Sequence, residues 1–202
     1  MENQANNKMT NKSHFLAFLF RMKYINRWSL MRNTEVENIA EHSLQVAMIA
    51  HLLATIKNKY YGGNLDPNYI AVLAMFHDSS EIITGDMPTP VKYFNPEIKE
   101  AYKNVEYIAN QKILSMLPED FKETYQSFLF HNVSEEWDIV KAADKLAAYI
   151  KCIEEEKVGN KEFVKAKETI LKALDAIDKP EVKYFMKVFM HSFSLTLDEL
   201  EY

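Results

Sequence analysis

His77 and Asp78 close the apolar run Ala71-Val72-Leu73-Ala74-Met75-Phe76, and Glu81 follows three residues later. A core helix has little reason to carry an imidazole and two acids within five residues. Buried carboxylates are costly unless they are paired or bound to a metal. The cluster therefore points to a metal site with a spare acid beside it, and if the helix persists these side chains share a face. Two other segments can complete the donor set. His42 opens a helix in Ala40-Glu41-His42-Ser43-Leu44, and Asp144 sits among small residues in Ala142-Ala143-Asp144-Lys145-Leu146-Ala147-Ala148. His42, His77, Asp78 and Asp144 together offer two imidazole nitrogens and two carboxylates from three helices, the way helix bundles build metal sites. An N/O set of this kind suits Mn²⁺, Co²⁺, Ni²⁺, Fe²⁺ or Zn²⁺ better than a soft-metal site does.

The elements that must position these residues read as helices. Only four glycines occur in 202 residues, and 48% of the chain is hydrophobic. Glycine is common in sheet turns and costly inside helices, so this composition predicts an all-α fold with one good core. The first helix is expected from Ser13 to Tyr24, with Phe15, Leu16, Leu19 and Met22 inward, and residues 25–32 break the period as a loop. A second is expected from Ile39 to Lys57 with a core stripe of Leu44, Ala47, Met48, Leu52 and Ile56. Asp66 caps a third, with Pro67 at its favoured first position and Ile70, Leu73, Ala74 and His77 along it. Thr84-Gly85-Asp86-Met87-Pro88-Thr89-Pro90 reads as loop. Helices from Asn95-Pro96 to Leu117, from Pro118 to Phe130, from Ser134 to Gly159 and from Lys161 to Ile177 follow, with a short eighth after Pro180.

Composition also excludes classes of function. Neither a Rossmann nor a P-loop glycine pattern can be written anywhere in the chain. A net charge of -5 disfavours nucleic acid polymers and membrane surfaces as partners. The single cysteine, Cys152, permits no internal disulfide and no Cys-based zinc site. The polar start MENQANNKMTNK has no apolar stretch of the signal-peptide kind, and no run approaches the roughly 18 apolar residues of a membrane span. These features together predict a cytoplasmic protein with a flexible tail at 1–12.

The ordered set H…HD…D in an all-α chain resembles the HD-domain phosphohydrolase superfamily. Ile25-Asn26-Arg27-Trp28, Glu41-His42-Ser43-Leu44-Gln45-Val46-Ala47, His77-Asp78-Ser79-Ser80-Glu81 and Thr84-Gly85-Asp86-Met87-Pro88-Thr89-Pro90-Val91-Lys92-Tyr93-Phe94 are similar to its bacterial 5′-deoxynucleotidase branch. HD alone is a weak signal, whereas the ordered set with this loop is strong. The resemblance implies a single-domain HD-type helical bundle over 13–202. It implies a homodimeric enzyme that converts deoxyribonucleoside 5′-monophosphates to deoxynucleoside and phosphate. By the same likeness His42, His77, Asp78 and Asp144 hold one divalent metal ion, Co²⁺, Mn²⁺ or a similar transition metal. Glu81 matches the catalytic acid, Arg27 the residue that orients the phosphate, and Trp28 lies beside the nucleotide. Asp86, Met87, Pro88 and Thr89 match the substrate loop, with His42, Asp78 and Asp144 also near substrate. The longer N-terminus and Met87 are the visible departures, and neither removes a functional group.

The chemistry follows from the residue types. A divalent ion offsets phosphate charge and lowers the pKa of water toward roughly 7. Glu81 would orient water or move protons, and Arg27 offers a planar donor fork matched to phosphate oxygens. Asp86 would accept a hydrogen bond from the sugar 3′-hydroxyl, and Trp28 would crowd C2′ against a ribose. Taken singly, the same residues have plainer readings. His77 alone is a satisfied histidine, Asp144 an exposed helix acid, Glu81 a solvent-facing helix end, and Arg27-Trp28 a surface cation–π pair or packing anchor. His51 is out of phase with His42. His14, His131 and His191 lack partner spacing, although His131 precedes the helix that carries Asp144. Glu154-Glu155-Glu156 reads as solvated surface, and the Tyr, Phe and Met content as core or dimer interface. Two alternatives stay open: another HD hydrolase acting on triphosphates or other phosphomonoesters, and a non-catalytic module with a structural metal.

Overall fold

The computed structural model describes residues 12–92, 94–131 and 133–200, so the expected tail lies outside the described residues except for Lys12. Ten α-helices form among them: α1 (Phe15–Leu19), α2 (Ile39–Tyr60), α3 (Pro67–Met75), α4 (Glu81–Thr84), α5 (Thr89–Lys92), α6 (Pro96–Ser115), α7 (Glu119–Leu129), α8 (Glu135–Lys157), α9 (Val164–Asp175) and α10 (Pro180–Val188). The only pairing of extended backbone among the described residues is an isolated bridge between Asn26 and Asn38. The all-α expectation therefore holds.

Local chemistry starts these helices where the sequence indicates. The Asp66 side chain accepts from the N–H groups of Asn68 and Tyr69, and Pro67 opens α3. Asn95 and Ser134 cap α6 and α8 through Ile98 N–H and Trp137 N–H. Each such cap satisfies a donor that the first helical turn leaves free, worth about 1 kcal/mol. The main core then forms where α2, α3 and α8 meet, with α9 and α10 against it. A second apolar cluster joins Phe15 and Leu19 of α1 to Ile113 of α6 and Leu129 of α7.

Several expectations are corrected. The first helix becomes a 3-10 turn at Phe20–Tyr24, and Leu16 is exposed. On α2 the buried face is Ile39, His42, Ser43, Val46, Ala47, Ile49, Ala50, Leu53, Ala54 and Ile56, while Leu44 and Met48 face outward. This helix is apolar on more than one side, so period alone does not select the inward face. It is also long and apolar enough to cross a membrane, yet 56% of the apolar window is buried against the rest of the fold. α3 ends at Met75, residues 76–80 form turns, and Glu81 begins α4, so His77 and Glu81 do not share one continuous helix. Thr89 and Pro90 open α5 instead of staying in the loop, because proline is tolerated in a first helical turn.

The acidic run of α8 is corrected too. Glu155 is buried, 2% exposed, and anchors the segment between α1 and α2. Its carboxylate accepts from the N–H groups of Thr34 at 2.9 Å and Glu35 at 3.2 Å. It also accepts from Lys151 Nζ at 2.5 Å and Asn160 Nδ2 at 2.8 Å. Lys151 and Asn160 donate in turn to the carbonyls of Glu35 and Arg32. Burial pushes the Glu155 carboxyl up, but the bonds from Lys151, Asn160 and Thr34 outweigh it and hold it at about 2. A depressed folded-state pKa gives stability that is complete above the unfolded value of roughly 4.3 and is lost as pH falls toward the folded one. Glu155→Ala should cost about 3–5 kcal/mol in urea unfolding at pH 7, because it strands the buried Lys151. The variant should also lose part of the native protein's destabilisation between about pH 5 and pH 2.

Candidate active site

α2, the turn after α3, and α8 bring the donor set together. His42 Nε2 lies 3.0 Å from Asp144 Oδ1 and 3.7 Å from Asp78 Oδ2. His77 Nε2 lies 3.1 Å from Asp78 Oδ2, and the two imidazole rings are 5.3 Å apart. One donor atom each from His42, His77 and Asp78 falls within 4.8 Å of the others. Asp144 reaches this group through its contact with His42. Buried alanines lie on the two long helices that carry His42 and Asp144: Ala47, Ala50 and Ala54 on α2, and Ala142, Ala143 and Ala147 on α8.

These residues fit a divalent ion. His77 Nδ1 sits 2.7 Å from the Ala74 carbonyl, which can only accept, so Nδ1 carries a proton and Nε2 is the nitrogen left to bind an ion. That Nε2 is buried with no hydrogen-bond partner, yet it faces a carboxylate oxygen at 3.1 Å. A nitrogen and a carboxylate oxygen so placed can both ligate one cation, and the fixed second nitrogen is the usual support of a histidine ligand.

Charge is concentrated around this group. Burial opposes the charge of Asp78, but His77, His42 and Arg27 hold its carboxyl far below the usual carboxylate range. Asp144 is likewise brought down to about 2, with His42 and Arg27 outweighing burial. Glu81 goes the other way: burial first, then the neighbouring Asp78 and Asp86, push it up to about 10. Its Oε2 is buried and unpartnered. Burial also opposes the Arg27 charge, but Asp144, Asp78, Glu37 and Asp86 raise its pKa on balance.

A cavity of about 690 Å³ opens beside the donor group. Arg27, Trp28, Asp78, Glu81 and Asp144 line it, and so do Asp86, Met87, Pro88 and Thr89 of the loop. His42 is fully buried behind this wall, with Nε2 directed at Asp144 and Asp78. Arg27 spans the site, with Nη1 3.5 Å from Asp78 and Nη2 3.9 Å from Asp144. Trp28 has a left-handed backbone, φ 59°. Its N–H donates to Asp86 Oδ2 at 3.2 Å and its ring packs on Phe163. His51, His14 and His191 lie on the surface, outside the donor group. His131 is different: it stacks on Trp137, and burial together with the nearby His77 lowers its pKa to about 4.

Three charged residues at the site have no role in the sequence reading. Lys145 and Lys165 line the cavity from α8 and α9. Glu37 is buried beside Arg27, Trp28 and His42. The available signal for Glu37 was an acid directly ahead of the Asn38 cap, in the segment that joins Arg27-Trp28 to His42.

The family model described as 5′-deoxynucleotidase YfbR-like matches residues 14–193. The chain belongs to this family. A 5′-deoxynucleotidase from Photobacterium profundum is 56% identical over 191 residues, covering 94% of this chain and 98% of the relative. One from Cronobacter sakazakii is 52% identical, covering 94% and 96%. An HD-domain phosphohydrolase from Listeria innocua has a TM-score of 0.78 at 25% identity, covering 89% of this chain and 88% of that one. The cyanophage S-2L HD phosphohydrolase DatZ, bound to dA and one catalytic Zn²⁺, shares the fold, with a TM-score of 0.61 at 20% identity over 88% of this chain and 95% of its own.

A protein with this donor group should gain stability from a divalent ion. At an ion concentration a hundredfold above Kd, the gain is about 2.7 kcal/mol. Thermal melts with Mn²⁺, Co²⁺ or Zn²⁺ should therefore lie above the melt in excess chelator; identical melts for all three ions would count against a metal at this site.

Proposed function

We propose that this protein hydrolyses deoxyribonucleoside 5′-monophosphates to deoxynucleoside and phosphate, with one divalent ion held by His42, His77, Asp78 and Asp144. The observation that carries the reading is one cavity lined by Asp78 of the metal-ligating group, by Asp144, by a buried free acid and by an arginine fork. A purely structural metal site is closed and has no use for an unpartnered acid beside it. When bound, the ion supplies charge neutralisation at phosphate and a more acidic water.

The chain's own residues do the rest. Arg27, charged under all working conditions, presents donors beside Asp78 and Asp144 and orients the phosphate there. Glu81 orients the attacking water and moves a proton between it and the leaving 5′-oxygen. Asp86 and Trp28 hold the sugar: the Trp28 N–H fixes one Asp86 oxygen, which leaves the other for the 3′-hydroxyl. Met87, Pro88 and Thr89 complete the wall of the substrate loop.

The protein works as a cytoplasmic homodimer in this reading. Support for a second copy comes from apolar side chains left exposed on α1, the 3-10 turn and α2: Leu16, Phe20, Tyr24, Leu44 and Met48. Lys145 and Lys165 favour one second reading, a substrate with a longer phosphate tail that these cations would meet.

A panel of deoxynucleoside mono- and triphosphates, with and without metal, tests both readings. Inorganic phosphate should appear from the monophosphates only when metal is present, whereas faster cleavage of the triphosphates would favour the second reading. Glu81→Ala should lower kcat by about 10²–10⁴ while the ion stays bound, and full activity would remove Glu81 from this role. Light scattering should give twice the chain mass, and Met48→Asp should shift it toward the monomer.

A further inference from the structure

Glu37 is only 6% exposed and meets three residues of the site at once. Its carbonyl accepts the Arg27 N–H at 2.9 Å. Its Oε2 accepts Trp28 Nε1–H at 3.0 Å and lies 3.2 Å from Arg27 Nε. Its Oε1 faces His42 Nδ1 at 3.8 Å, longer than a hydrogen bond but within ion-pair range. From these contacts we infer that Glu37 is a positioning residue, one carboxylate that sets the donor face of His42 and the aim of Arg27 and Trp28. The inference rests on the proposed roles of those three residues at metal, phosphate and sugar.

An ionised carboxylate can only accept hydrogen bonds. His42 Nε2 faces Asp78 and Asp144, so when it ligates an ion there the ring proton must sit on Nδ1, the nitrogen that faces Glu37. Carboxylates behind histidine ligands fix tautomer and ring orientation in this way. The same group restrains Trp28, whose left-handed backbone is unfavourable for a bulky residue and persists only when its surroundings fix it. Asp86 holds its main chain and Glu37 its indole. Metal ligand and substrate anchors thus share one support.

Glutamine at this position nearly preserves shape but offers one acceptor oxygen and one donor NH₂. Three N–H groups face the native carboxylate, so at least one of them must meet a donor. If the amide oxygen stays with Trp28 and Arg27, the NH₂ faces His42 Nδ1. The His42 proton then moves to Nε2 and the metal-facing lone pair is lost.

Calorimetric titration of metal-stripped protein with Mn²⁺ reads this directly. Glu37→Gln should bind Mn²⁺ about 10–100-fold more weakly than the native chain. Glu37→Asp, which keeps an acceptor-only group, should recover part of that loss. At saturating Mn²⁺, Glu37→Ala should also raise KM for a deoxynucleoside monophosphate about tenfold, because the charged hydrogen bond that fixes the Trp28 indole is lost. Mn²⁺ affinity of Glu37→Gln within twofold of native overturns the inference. Should these variants fail to fold, Trp137→Phe leaves Trp28 as the only indole. Its N–H must then exchange slowly with solvent by NMR, and exchange at the rate of free indole overturns the inference as well. A native chain that binds Mn²⁺ but releases no phosphate would instead defeat the proposed function and leave the Glu37 result standing.

Discussion

The close approach of α2 and α8 is the constraint on which the site depends. His42 and Asp144 are 102 positions apart in sequence and 3.0 Å apart in space. The two helices pack directly against each other, and buried alanines lie on both. Core packing and metal chemistry are therefore one problem in this fold, solved by small residues around a charged centre.

A second constraint is electrostatic. Asp78, Asp144, Glu81, Glu37 and Asp86 gather in a partly buried space against Arg27 and two histidines. Crowded carboxylates either take partners or take up protons. Asp78 and Asp144 are held ionised by His42, His77 and Arg27, whereas Glu81, with burial and two acids against it, is pushed the other way. This asymmetry distinguishes ligand positions from the acid beside them. It also gives the segment 25–38 its purpose: anchored by Glu155 at Thr34 and Glu35, it delivers Arg27, Trp28 and Glu37 into the same charged space.

The donor set, the Arg27-Trp28 pair and the Asp86 loop were legible in the sequence because their order along an all-α chain is distinctive. Helix starts were legible for a local reason, since Asp66-Pro67, Asn95-Pro96 and Ser134 act within a single turn. The inward face of α2 was not legible, because Leu44, Met48, Val46, Ile49 and Leu53 are all apolar and only the neighbours of the helix select among them. Nor was the end of α3 at Met75, since residues 76–80 contain neither glycine nor proline and turn to serve the site. Glu155 and Glu37 escaped notice for a shared reason. Their partners lie in distant segments or in irregular backbone, where no periodicity marks a buried acid.

Composition and motif order by themselves determined the helical class, the family resemblance and the candidate donor residues His42, His77, Asp78 and Asp144. These properties depend on residue types and local spacing alone. Tertiary structure decided which acids are buried, which of them ionise, and which single carboxylate stands behind His42, Arg27 and Trp28. Those outcomes depend on desolvation and on distances of about 3 Å between groups far apart in the chain, and only packing sets them.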